Sequence, residues 1–139
     1  MGGAATWSLA LVAATTLHAG FQLTVTLVVY PALAAVPTSS WPDAHRAHSR
    51  RIAPLVVLMY AAALPTAFGA ALAVPSPGGV VALAGTVAAV LVTATSAAPT
   101  HGRLGRGRDQ ALVARLLRAD RWRCLAAVLA CGGAIVAVM

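Results

Sequence analysis

Residues 5–36 read ATWSLALVAATTLHAGFQLTVTLVVYPALAAV, and no Asp, Glu, Lys or Arg interrupts them. A helix crosses the hydrocarbon core of a bilayer with about 20 residues. This stretch exceeds that, so as a membrane helix it tilts or protrudes, and Pro31 predicts a kink near one end. No basic segment precedes the apolar run, which is not the pattern of a cleaved signal peptide. It reads as a retained first span.

The same reading extends along the chain. Apolar stretches recur at about 47–74, 80–98 and 120–139. The fold expected is therefore all-α: a single domain forming an integral membrane four-helix bundle. Composition agrees. Of 139 residues, 60% are hydrophobic and 9% charged, against about 25% charged in a soluble domain. Ser40, Pro42 and Asp43 read as the start of the second helix, with Ser as N-cap, an early Pro and an acid in the first turn. Pro54 and Pro65 predict kinks in that helix. Residues 99–109 read as a loop, and 110–118 as a separate amphipathic segment. The third span is rich in Ala, Gly, Val and Thr, and its small residues let helices approach closely in lipid.

The net charge of +7 comes from ten arginines and three aspartates. A nucleic-acid binder would spread such charge over a solvated domain. Here the arginines fall in two segments, Arg46–Arg51 and Arg103–Arg123, which bracket apolar runs. That distribution excludes a nucleic-acid partner and follows the positive-inside rule. The expected placement is the plasma membrane, with the charged first and third loops cytoplasmic and both termini outside. Trp7, Trp41 and Trp122 lie near span ends and read as an interfacial aromatic belt. Cys124 and Cys131 are seven residues apart on one helix, too far along the axis for a disulfide.

Polar residues inside an apolar bundle need a reason. His45 and His48 share a helix face by their spacing of three. Folding the chain back at each turn brings His101 and Tyr30 to the same rim. Three histidines there suit copper or iron, and zinc as well, with a position left open for substrate. Solvation of a helix end is the plainer account of the same residues. His18 lies deeper, with Gln22 one turn along, level with Met59 and Thr93 to Ser96. It reads as a substrate-facing acid/base, as a haem or metal ligand, or as a histidine satisfied by the threonines and Gln22. Asp120 reads as a capping or salt-bridging group, or as an acceptor that orients a rim histidine.

One combination of motifs carries a resemblance: His18-x-x-Phe21-Gln22, Tyr30-Pro31-x-Leu33, Trp41-x-x-x-His45-x-x-His48-x-x-Arg51-Ile52, Pro99-x-His101-x-x-Leu104-x-x-Gly107 and Leu117-x-x-Asp120-x-x-Arg123. It resembles the small four-span bacterial membrane proteins similar to anthrone oxygenases. The resemblance covers most of the chain. It implies a four-helix membrane bundle and an oxidoreductase, a monooxygenase, acting on a membrane-soluble aromatic polyketide or isoprenoid-like compound.

The expectation is therefore a membrane-embedded, metal-dependent oxygenase. His45, His48 and His101 hold the metal, His18, Tyr30 and Asp120 act catalytically, and Phe21 and Gln22 line the substrate pocket. Its partners are the lipid bilayer and a lipophilic small molecule, and the small-residue faces fit a homo-oligomer. Two alternatives remain at this stage: a non-enzymatic membrane helper or assembly protein, and a haem-binding electron-transfer protein.

Overall fold

The computed structural model describes residues 2–139. Among them there are helices and no strands, arranged as four antiparallel rods. The first rod is α1 (Gly2–Thr24), a π-helical turn (Val25–Val29) and α2 (Tyr30–Ala34). A 3₁₀ turn (Thr38–Ser40) leads into the second rod, α3 (Trp41–Ala73). The third is α4 (Pro77–Val92), a second π turn (Thr93–Ala97) and α5 (Ala98–Leu104), and the fourth is α6 (Gln110–Val136). Three rods, Gly3–Ala34, Thr38–Ala73 and Pro77–Leu104, are long and apolar enough to cross a membrane. Short connections force each rod to run against its predecessor. Contacts between α1 and α3, α3 and α4, α4 and α6, and α6 and α1 close the ring.

The two π turns share a cause. In each, the N–H of the residue before a proline reaches back five positions: Tyr30 to the Val25 carbonyl and Ala98 to the Thr93 carbonyl. Pro31 and Pro99 follow, and neither has an N–H to continue an α-helical ladder. The wider turn absorbs the defect, so the helix goes on beyond it. Such π turns concentrate at functional sites. These two set the positions of Tyr30 and His101.

Several boundaries differ from the sequence reading. The second helix starts at Trp41, ahead of its apolar span and where Ser40, Pro42 and Asp43 place it, although Ser40 makes no side-chain capping bond. Pro54 and Pro65 sit inside an unbroken helix. Residues 98–104 are helical, not loop, because the π turn ahead of Pro99 absorbs its missing N–H and the rod continues. Residues 110–118 are not a separate segment. Asp109 Oδ1 accepts the Leu112 N–H at 2.9 Å, and one helix continues from that cap to Val136.

The closest seam joins α4 and α6. Gly78, Ala82, Gly85 and Ala89 face Ala126, Ala130, Gly133 and Ala134, all of them buried. A Cβ on Gly85 would stand 2.6 Å from the Ala126 carbonyl oxygen, whereas Gly132 has open space around it. Gly85→Ala is therefore expected to destabilise by about 1–3 kcal/mol through overpacking. Gly132→Ala is expected to leave the thermal midpoint in detergent unchanged or raised. Equal midpoints for the two variants would show that the seam is not closely packed.

Apolar side chains cover the outside. Leu9, Leu27, Leu72 and Val57 are between 67% and 74% exposed. The interior holds two apolar clusters, one around Tyr30, Trp41 and Leu104 and one around Leu11, Ala67 and Ala134. Buried polar groups also occupy the interior: Thr15, His18, Gln22, Asp120 and Arg123.

Candidate functional site

Tyr30, His45, His48 and His101 come from three different rods and meet at one end of the bundle, as the sequence reading placed them. The Tyr30 hydroxyl lies 3.0 Å from His101 Nε2, and His101 Nδ1 lies 3.1 Å from His45 Nε2. A neutral imidazole has one donor and one acceptor nitrogen. The chain therefore runs in one direction at a time. Either Tyr30 donates to His101 and His101 to His45, or His45 donates to His101 and His101 to Tyr30. Exchange between the two states moves a proton the length of the chain.

Packing holds these rings in register. His48 stacks on His101 with ring centres 5.4 Å apart, and Trp41 stacks on His45 at 5.2 Å. Trp41 Nε1 donates to the Leu104 carbonyl at 3.0 Å, and the Arg108 guanidinium lies over the indole. Arg108 also donates to the Ala34 carbonyl at 3.0 Å, satisfying an orphan carbonyl where α2 ends. Trp41 is 1% exposed and belongs to the core. Its assignment to an interfacial belt is thus corrected, while Trp7 and Trp122 are exposed at 39% and 64%.

A groove of about 690 Å³ opens on the outer surface between α3 and the third rod. Its walls are apolar, formed by residues such as Ile52, Val56, Leu64 and Ala97. Tyr30, Tyr60, Thr93, His101 and Arg123 supply its polar atoms, with Ser49 at the rim end. A smaller bowl of about 400 Å³ at the rim is bordered by His45, Arg46, Arg50 and His101. Ser49 and His101 border both cavities. The Tyr30–His101–His45 chain therefore joins an apolar groove to a basic, polar rim.

The deeper polar residues form a second network. Gln22 Nε2 donates to Asp120 Oδ1 at 2.6 Å, and Arg123 donates to Gln22 Oε1 at 3.0 Å. Arg123 and Asp120 are 3.9 Å apart, with both side chains buried. Asp120 accordingly orients Gln22 and Arg123 and not a rim histidine. Phe21 is half-buried against the core, and neither it nor Gln22 borders the groove. His18 is 1% exposed and sits edge-on to Tyr60 at 5.2 Å, with Nδ1 lacking a partner. Gln22 is engaged elsewhere, so it does not satisfy His18. The Tyr60 hydroxyl lies 2.6 Å from Thr93 Oγ1, which itself donates to the Ala89 carbonyl at 2.8 Å.

The fit of a metal to the three histidines is a matter of geometry. Two of their nitrogens are engaged with each other and a third with Tyr30, while His48 Nε2 is buried without a partner. Among the described residues, no group of three His, Cys, Asp or Glu side chains is arranged to hold an ion. A metal at these residues would require the His45–His101 hydrogen bond to open and His48 to leave its stack. The hydrogen-bonded Tyr30–His101–His45 chain has the geometry to pass a proton.

Sequence reasoning passed over Tyr60, and named Thr93 only as a polar residue level with His18. The salt-bridging reading of Asp120 is met by Arg123, its i,i+3 partner, but the burial of Arg123 beside the groove was not foreseen. Compared with known protein families, with characterised proteins and with solved structures, the chain matches none.

Proposed function

We propose that this protein is an integral membrane oxygenase that oxidises a lipophilic aromatic substrate entering its groove from the bilayer. The observation that carries the reading is the hydrogen-bonded Tyr30–His101–His45 chain at the polar floor of an otherwise apolar groove. The apolar outer surface and the three long apolar rods support insertion in a membrane. The arginine-bearing loops lie together at one end, which supports a cytoplasmic rim and outward termini.

The chemistry proposed is proton abstraction followed by reaction with dioxygen. A methylene group flanked by aromatic rings and conjugated to a carbonyl gives up a proton to Tyr30–His101. The proton leaves through His45 to the rim. The resulting enolate reduces dioxygen. Overall, one methylene and one O₂ give one carbonyl and one water, so atoms and electrons balance. The groove walls orient the substrate and exclude water. No step is routed through a metal, because the histidines do not converge on one.

The test is oxygen uptake by the protein reconstituted in liposomes, with hydroxyanthrones and lipophilic phenols as substrates. Consumption of one O₂ per quinone formed is the expected result. Folded protein that consumes none above empty liposomes would overturn the proposal. Metal analysis of the same preparation separates the base-only route from one that uses copper or iron.

A further inference from the structure

From Arg123 we infer that the groove receives its ligand oxygen-first, as a lipophilic phenolate or enolate paired with this buried guanidinium. The inference rests on the oxygenase reading for the identity of the substrate, but the binding site stands on its own geometry.

Arg123 is 3% exposed and borders the groove. A buried cation in an apolar setting needs compensation. Part of it comes from behind. NH2 donates to Gln22, and NH1 faces Asp120 at 3.9 Å, longer than a good charged hydrogen bond. Asp120 does not border the groove. The cation is thus the charged group on the groove floor, and its carboxylate partner lies on the far side. Nε is buried and has no hydrogen-bond partner.

The number of free donors selects the ligand class. A carboxylate or phosphate binds arginine best through two parallel N–H groups. Here NH2 donates to Gln22, NH1 faces Asp120, and the guanidinium also meets the Tyr30 and Tyr60 hydroxyls, so Nε is the nitrogen left without a hydrogen-bond partner and offers its one N–H to a single oxygen. One charged oxygen on a flat apolar body describes a phenolate or an enolate. Tyr30 and Tyr60 border the same groove, with their hydroxyls engaged by His101 and by Thr93 and the Ala89 carbonyl. The apolar walls fit fused aromatic rings. An enolate formed by proton loss to His101 would meet this cation as its charge develops. Arg123 is then a specificity-determining residue that selects acidic aromatics over neutral hydrocarbons.

The test uses 1-hydroxypyrene, whose phenol and phenolate forms differ in fluorescence, with protein in dodecylmaltoside micelles. Wild-type protein is expected to raise the phenolate-to-phenol ratio at least about tenfold over empty micelles, as one charged hydrogen bond allows. Asp120→Asn removes the competing carboxylate and should raise the ratio further. Asp120→Asn with Arg123→Gln leaves neither charge unpaired, so folding is preserved. It should return the ratio to that of empty micelles while pyrene itself still binds. A wild-type ratio equal to that of empty micelles, or a ratio unchanged in the double variant, would overturn the assignment. Oxygen uptake without a phenolate shift removes the role of Arg123 and leaves the oxygenase. A phenolate shift without oxygen uptake removes the oxygenase and leaves the site.

Discussion

His101→Ala is expected to lower oxygen-dependent turnover by about a hundredfold to ten-thousandfold, the usual contribution of a positioned acid or base. Among the described residues His101 joins Tyr30 to His45 by hydrogen bonds, one through each ring nitrogen. Its loss leaves a groove of similar shape with no route for the proton to the rim. Structure suffers less. Two hydrogen bonds and a ring stack disappear, at about 1–3 kcal/mol for each buried group left unpaired. The variant should therefore remain folded, as a melting curve in detergent will show. His45→Ala is expected to have a smaller effect, because the rim bowl also borders His101 directly. Added imidazole should partly restore His101→Ala by occupying the vacated volume. Full turnover in a folded His101→Ala protein would remove the relay from the mechanism.

The rods were legible in the sequence because the absence of charge is a direct statement about solvent. Long stretches without Asp, Glu, Lys or Arg can be covered only by other apolar matter. The meeting of Tyr30, His45, His48 and His101 was legible too, since rise per residue and short turns fix their heights. What was illegible is direction around the helix axis. Trp41 near a span end has the same one-dimensional signature whether it faces headgroups or the core. The structure turns it inward, onto His45 and the Leu104 carbonyl. The burial of Arg123 was hidden for the same reason, since it is one of several arginines within a few residues of a span end. Periodicity identifies a buried face only when polar and apolar sides alternate. In α6, alanines fill both the seam with α4 and part of the outer surface, so the pattern is weak. The π turns were hidden differently. A proline inside an apolar run signals a defect, but not whether it resolves as a kink, a stop or a wide turn.

Asp120→Ala is expected to destabilise the protein by about 3–5 kcal/mol, because it leaves a buried guanidinium without its countercharge. That is a large share of a folded stability of about 5–15 kcal/mol. The carboxylate also takes the Gln22 amide at 2.6 Å, so a second buried donor loses its acceptor. Arg123→Ala should cost a comparable amount from the opposite side, leaving the Asp120 carboxylate with the uncharged Gln22 and Thr26 side chains. The instructive variant is Asp120→Leu combined with Arg123→Met. Replacing a buried ion pair by apolar residues of similar volume is often neutral or stabilising. The double variant should therefore melt above either single variant despite carrying one change more. Such non-additivity is the signature of two groups that interact directly. If the penalties simply add, the 3.9 Å separation reflects two independently solvated charges. If the double variant recovers stability yet loses both phenolate binding and oxygen uptake, the pair is kept at a cost to folding because the groove needs the cation.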